Sequence, residues 1–273
     1  MRKITCISDW AKDDLAYHEF VTALEGYAKM PRHLSVNRVD SETSTIHTGF
    51  LVEQIVYTEE RLGVPSERII FANTDPRSAN SASESAKYGA EFMIAKLASG
   101  LYVCGPNSGY SLSFIKPKIE SISRYVNFET TTVSRSRDLF SRVIAHLADY
   151  MEDEMDLEEV HGGTVLDRPM GKCILHVDNF GNVITSITQE EALEKHKFGD
   201  YVRVNIGSET HEAKLVTHRF GGMIGEVVMY PGSKGHPDNP YMEIAVWHES
   251  THHKINKKIP FIESSPGDEM HMR

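Results

Sequence analysis

The sequence predicts an α/β protein: an N-terminal α/β domain with a mainly parallel central sheet, followed by a smaller, barrel-like all-β domain. Three observations carry this. Residues 3–8 form a short β-like run with Ile4, Cys6 and Ile7, which ends in an acidic turn from Asp9 to Asp14. Tyr17, Phe20, Val21, Leu24 and Tyr27 follow at helical spacing, so strand, turn and helix make the first half of a βαβ unit. Strand-like and helix-like runs then alternate as far as Leu147, whereas beyond His161-Gly162-Gly163 only short strands broken by Gly and Pro remain.

The N-terminal elements read in order as follows. Phe50, Leu51, Ile55 and Leu62 predict a helix over residues 48–62, and Arg68-Ile69-Ile70-Phe71-Ala72 a buried strand. The Ser/Ala-rich residues 78–85 read as a loop. Residues 92–97 suit helix or strand by periodicity and are assigned to strand. Leu101-Tyr102-Val103-Cys104 is a further strand, closed by the tight turn Gly105-Pro106-Asn107-Ser108-Gly109, and residues 125–129 make another. Leu139, Phe140, Val143, Ile144 and Leu147 form one apolar helix face, with Ser136 as its N-cap. Cations at Arg135 and Arg137 oppose the helix dipole there, so another group should hold them.

Residues 151–160 are strongly acidic and read as a solvated face or linker. The expected division is therefore residues 1–160, a linker over 161–172, a β domain over 173–263 and a disordered tail over 264–273. In the β domain, residues 201–206, 213–217, 226–229 and 241–247 read as strands.

Composition narrows the function classes. The 273 residues are 40% hydrophobic and 25% charged, ordinary for a globular chain of two moderate domains. A formal net charge of -10 without a basic cluster opposes nucleic-acid binding and leaves small cationic or zwitterionic ligands compatible. No opening hydrophobic run and no apolar stretch of about 20 residues is present, so a cytoplasmic location away from membranes is expected. Cys6, Cys104 and Cys173 sit in apolar runs, which suits buried, reduced thiols.

Carboxylates at strand ends mark candidate sites, because ligands of open α/β sheets sit beyond strand carboxyl ends. Asp9 and Asp14 qualify, although either would also serve as a helix cap, and Asp75 qualifies, although Asp before Pro is a common turn starter. The second candidate is the stretch from Cys173 to Ile187, a strand, an Asp178-Asn179-Phe180-Gly181-Asn182 turn and a second strand. Turn chemistry alone makes it a surface hairpin.

The Asp-x-Phe-Gly-Asn turn with its following apolar pair resembles the C-terminal domain start of the S-adenosylmethionine hydroxide adenosyltransferase, fluorinase and chlorinase family. Other segments follow in that family's order. Ser8-Asp9-Trp10-Ala11-x-x-Asp14 resembles its Thr-Asp-Phe-Gly opening, Thr74-Asp75-Pro76 its Val-Asp-Pro segment, and Asn107 lies in a match to its Pro-Asp-Asn-Gly turn. Ser136-Arg137-Asp138 resembles its Gly-Arg-Asp helix start, and Tyr241-Met242-Glu243-Ile244-Ala245 its Tyr-Leu-Glu-Ile-Ala strand.

The resemblance implies displacement at C5′ of S-adenosylmethionine, most simply by water to give adenosine and L-methionine, with the methionine sulfonium as substrate and no cofactor. It implies substrate binding by Asp9, Trp10, Asp14, Asn107, Asp178, Phe180, Asn182 and Glu243, and catalysis by Asp75, Arg135 and Ser136. It also implies a homotrimer with the site between subunits. The chain departs from the hydrolytic pattern of Asp, Arg and His: Asp75 is kept, the Arg place near Glu91 is not basic, and the His place holds Arg135. Halogenating members carry Tyr where Asp75 stands, though Ser136 matches the fluorinase's hydroxyl donor. A nucleoside-binding protein without turnover, or a halide-using transferase, are the alternatives. A remote alternative is a zinc protease, because His248-Glu249-Ser250-Thr251-His252 satisfies H-E-x-x-H with Glu263 or Glu269 as third ligand; no metal is expected otherwise.

Overall fold

The computed structural model describes residues 1–76, 89–127, 132–206, 209–246, 267 and 269–272. The loop expected at 78–85, the His248 to His252 motif and Glu263 lie outside the described residues. The chain divides into two compact units, Met1–Arg168 and Pro169–Arg273.

The first unit is built on a seven-stranded mixed sheet. In spatial order its strands are β2 (Val36–Asp40), β1 (Lys3–Ser8), β3 (Arg68–Asn73), β5 (Tyr102–Pro106), β4 (Phe92–Leu97), β6 (Ile119–Tyr125) and β7 (Leu157–Glu159). The pairings from β2 to β5 are parallel, and those from β5 to β7 antiparallel. Strand alternation sends Ile4, Cys6 and Phe71 to one face and Ile7, Ile70 and Ala72 to the other. The first face is covered by α1 (Asp14–Tyr27) and α3 (Ser141–Ala148), the second by α2 (Thr45–Leu62). Burial on both faces explains why these strands read as continuous apolar runs. Phe20 of α1 stacks on Phe71 at 5.2 Å between ring centroids and is 1% exposed. Truncating so enclosed an aromatic costs about 3–5 kcal/mol.

The second unit holds β8 (Ile174–Val177), β9 (Val183–Thr188), α4 (Gln189–Leu193), β10 (Tyr201–Ile206), β11 (Glu209–Leu215), β12 (Val227–His236), β13 (Asn239–Val246) and β14 (Met270–Met272). Its sheet runs β14-β10-β11-β12-β13-β9-β8, antiparallel except between β11 and β12. The two edges also meet: Cys173 bridges to Glu269, and Gly267 N–H donates to Ile174 O at 2.8 Å. That contact curls the sheet back on itself, which gives the barrel-like form and removes an open edge. Thr188 and Glu191 make a reciprocal capping box at the start of α4.

Several expectations need correction. Of the two readings of residues 151–160, the solvated face fits and the linker does not: Leu157–Glu159 form edge strand β7 with Glu158 and Glu159 exposed, and Arg124 joins Glu158 at 2.7 Å. Within the tail expected to be disordered, Met270–Met272 pairs with β10 and buries Met270, while residues 264–266, 268 and 273 lie outside the described residues. Of the strand expected at 125–129, Tyr125 ends a strand that begins at Ile119, and residues 128–129 lie outside the described residues. β2 went unread because its residues are half polar and only intermediate or exposed, as befits an edge. Residues 92–97 are a strand, and Cys6, Cys104 and Cys173 are buried and free. No helix among the described residues is long and apolar enough to cross a membrane.

Candidate active site

Parallel pairing places Ser8 beside Asn73, so β1 and β3 end side by side and the residues after each enter one place. The buried Ser8 hydroxyl donates to Asn73 O at 2.9 Å and ties the two ends together. A single hydroxyl proton cannot serve two acceptors, so the 3.5 Å contact of Ser8 Oγ with Asp9 is the minor one. Beyond these ends lies a cavity of about 240 Å³ lined by Asp9, Trp10, Asn73, Asp75, Arg135 and Ser136, among others. Its floor is aromatic: Phe140 lines it and packs on Phe92 at 4.6 Å, while Trp10 meets Phe20 edge-on at 5.4 Å.

Asp75 and Arg135 are held together by the backbone of one residue, Ala90. Ala90 N–H donates to Asp75 Oδ2 at 3.0 Å, and Arg135 Nη2 donates to Ala90 O at 2.8 Å. Arg135 Nη1 then lies 3.8 Å from Asp75 Oδ2, and the guanidinium sits 4.9 Å over the Phe140 ring. This answers what wants a cation at that helix start. Gly89 makes the arrangement feasible: its φ is +77°, and a Cβ there would stand 2.0 Å from Arg135 Nη1 and 2.6 Å from Asp75 Oδ2.

Asp9 carries the perturbed acid. Burial pushes its carboxyl above the usual range, and the charge of Asp75 adds to that, against the lowering pull of backbone N–H groups and the Ser8 hydroxyl. With both acids ionised and one guanidinium present, the cavity bears a net negative charge. It favours a cationic ligand.

The second unit treats its predicted residues differently. Asp178 Oδ1 accepts from Phe180 N at 2.8 Å and Asn182 N at 2.9 Å, and Oδ2 accepts from Asn182 Nδ2 at 2.7 Å. Gly181 at φ +85° closes the turn, and Phe180 is left 67% exposed. Glu243 accepts from the Tyr230 hydroxyl and from Ser233 N, each at 3.0 Å. Burial first, then the Glu243 charge, push the Tyr230 phenol upward; Asp178 and Arg219 also act on it, which places turn and cluster near one another.

Of the seven predicted residues in the first unit, the structure thus brings Asp9, Trp10, Asp75, Arg135 and Ser136 to one cavity and leaves Asp14 and Asn107 outside it. Asp14 is exposed and pairs with Arg38 at 2.7 Å, while the helix cap is Asp13, whose side chain accepts from Leu15 N and Ala16 N. The Asn107 amide donates to Thr164 O at 3.0 Å on the surface. Ser136 is no N-cap; it opens one π-helical turn, Ser136–Phe140, and its Oγ accepts from Asn73 Nδ2 at 2.6 Å. Glu91 pairs with Arg124 at 2.5 Å, so the place expected to be basic borrows its cation from β6.

Comparison with known proteins gives the arrangement a context. Residues 172–259 match the family described as SAM hydroxide adenosyltransferase C-terminal domain. The (R)-S-adenosyl-L-methionine hydrolase of Methanocaldococcus jannaschii is 24% identical over 133 residues, 47% of this chain and 48% of that protein. These likenesses support the SAM hydroxide adenosyltransferase family. The chain spans about half the length of that curated relative. An uncharacterized conserved protein from Thermotoga maritima shares the fold with a TM-score of 0.69 at 19% identity, covering 99% of this chain and 100% of that one. A conserved hypothetical protein from Thermus thermophilus does so with 0.65 at 18%, covering 100% of both.

At this cavity, sequence reading missed Asn73, Gly89, Ala90 and Phe140. Asn73 has a signal in hindsight, a polar residue closing an apolar strand. Gly89 and Ala90 have none, because their part is played by backbone. Among the described residues no cluster of His, Cys, Asp and Glu could hold a metal.

Proposed function

We propose that the chain binds S-adenosylmethionine and displaces methionine from C5′ with water, giving adenosine, L-methionine and a proton. The observation that carries this is the cavity at the strand ends, where Asp9 and Asp75 face a single guanidinium. A sulfonium cation is attracted there. A halide is opposed, since like charges about 4 Å apart cost about 4 kcal/mol at an effective dielectric of 20.

In the displacement the water oxygen bonds to C5′ while the C5′–S electron pair passes to sulfur, so a neutral thioether leaves and no acid is required. Asp75 orients the water and takes its proton. Its Oδ2 is already engaged by Ala90 N and Arg135, which leaves Oδ1 as the accepting oxygen. Asp9 holds the ribose diol, Trp10 covers one wall, and the Asp178 turn with Glu243 serves the base and sugar. A cavity of about 240 Å³ is below the 300 Å³ or so of a whole-ligand site. A second copy of the chain would therefore complete it, in a homotrimer.

Chromatography of purified protein incubated with S-adenosylmethionine tests the reading. Adenosine and methionine in equal amounts support it. Unchanged substrate with measurable binding would leave a binding protein, and a 5′-halo nucleoside in chloride would transfer the assignment to halide chemistry.

A further inference from the structure

Ser136 is one hydroxyl with one proton and two lone pairs, so its use depends on which neighbour has claimed which. Asn73 Nδ2 donates to Ser136 Oγ at 2.6 Å, and an Asn amide nitrogen cannot accept. One lone pair of the hydroxyl is therefore occupied, and its proton must point elsewhere. No acceptor for that proton is found among the described residues, while both Ser136 and Asn73 line the cavity.

Asn73 is itself well placed to impose a direction. It is 6% exposed, its backbone carbonyl is held by the buried Ser8 hydroxyl, and it ends β3 in register with Ser8. The amide is thus fixed by the sheet, whereas Ser136 sits on a separate π-helical turn. The hydrogen bond joins the two halves of the cavity wall.

We propose that Asn73 is a positioning residue that turns the Ser136 hydroxyl into a hydrogen-bond donor aimed at the cavity, towards the attacking water or a ligand oxygen. The inference rests on the proposed function for its ligand. A hydroxyl committed as donor steadies an oxygen nucleophile whose proton Asp75 takes, so the two groups address one water from its two sides. Asn73 touches no reacting atom itself.

A double-mutant cycle with Asn73→Ala and Ser136→Ala tests this, read on turnover and on the Kd for S-adenosylmethionine by calorimetry. Asn73→Ala is expected to lower turnover about tenfold in the natural background and less than about twofold once Ser136 is already alanine. Asn73→Asp keeps the shape and reverses the bond, since a carboxylate accepts the Ser136 proton; it should be at least as damaging as alanine while remaining folded by circular dichroism. Equal losses from Asn73→Ala in both backgrounds would mean a merely structural role and overturn the inference. Coupling in Kd without any turnover would remove the hydrolase reading and keep the positioning role. Turnover without coupling would do the opposite. A chain that binds no S-adenosylmethionine would overturn both.

Discussion

At the ends of β1 and β3, Asp9 and Asp75 keep acceptor capacity for a ligand, whereas in the turn between β8 and β9 Asp178 accepts three hydrogen bonds from the four residues that follow it. Both are acids at strand ends, and sequence reading treated them alike. The difference lies in what surrounds them. A parallel sheet leaves its strand ends as a gap that the crossover elements line without filling, so an acid there is desolvated and only partly paired. A hairpin brings its own backbone N–H groups to the acid, which then builds a rigid turn presenting Phe180. Carboxylates of the first kind keep oxygens open to the cavity; the second kind spends its oxygens on holding the turn.

The sharpest way to break the comparison is Asp75→Asn, which retains the shape and removes the acceptor charge. Turnover should fall about 10²- to 10⁴-fold, the range of a positioned general base, with the Kd for S-adenosylmethionine changed far less. A variant as active as the natural protein would end the proposed role. Gly89→Ala attacks the same pair through backbone. Its φ of +77° and the 2.0 Å approach to Arg135 Nη1 oblige the guanidinium to leave Asp75. A loss of about 1–2 kcal/mol in stability from the left-handed backbone alone is expected in chemical denaturation, together with reduced turnover. An unchanged midpoint would show that the backbone there is free to relax, and unchanged turnover that the guanidinium is not confined.

Asp178→Ala should behave otherwise. Two backbone N–H groups and the Asn182 amide lose their acceptor, which costs about 1–3 kcal/mol of stability where they are shielded from water. The effect on ligand should be in Kd, with turnover of the bound complex little altered. A large fall in turnover at saturating substrate would place Asp178 with the chemical acids and erase the contrast.

How far the chain could be read follows the same line. Elements with strong periodicity, such as β1, α1, β3 and the β8–β9 hairpin, were legible because each buries a face against a core and the pattern records it. β7 and β14 were not, since both are three-residue edge strands whose place is set by a partner far along the chain, β6 for one and β10 for the other. The strand-end acids Asp9 and Asp75 were legible from topology. Asp14 stands only five positions from Asp9, yet the helix turns it away from the cavity and outward to Arg38. Ser136 was legible as a residue and not as a role: a cap and a cavity hydroxyl look the same until Asn73 is seen beside it.

The smallest effect separates the two kinds of acid by pH. Burial and the Asp75 charge raise the Asp9 carboxyl above its ordinary 3.8, so the folded chain binds a proton there more tightly than the unfolded one. Between 3.8 and the raised value the folded state holds more protons, and stability falls as pH rises through that window. Above the window the penalty is complete; below 3.8 it is absent. Asp9→Asn abolishes the charge while keeping an oxygen for the N–H groups of Asp9 and Trp10. Its melting temperature should therefore exceed that of the natural protein by a small margin at neutral pH and match it in acid. Affinity for S-adenosylmethionine should weaken at the same time, because a strained acid kept in place is what a ligand-binding role requires. Asp178→Asn should lower the melting temperature instead. A gain from Asp9→Asn that persisted unchanged below 3.8 would mean that shape rather than charge was relieved, and Asp9 would then belong with the structural acids.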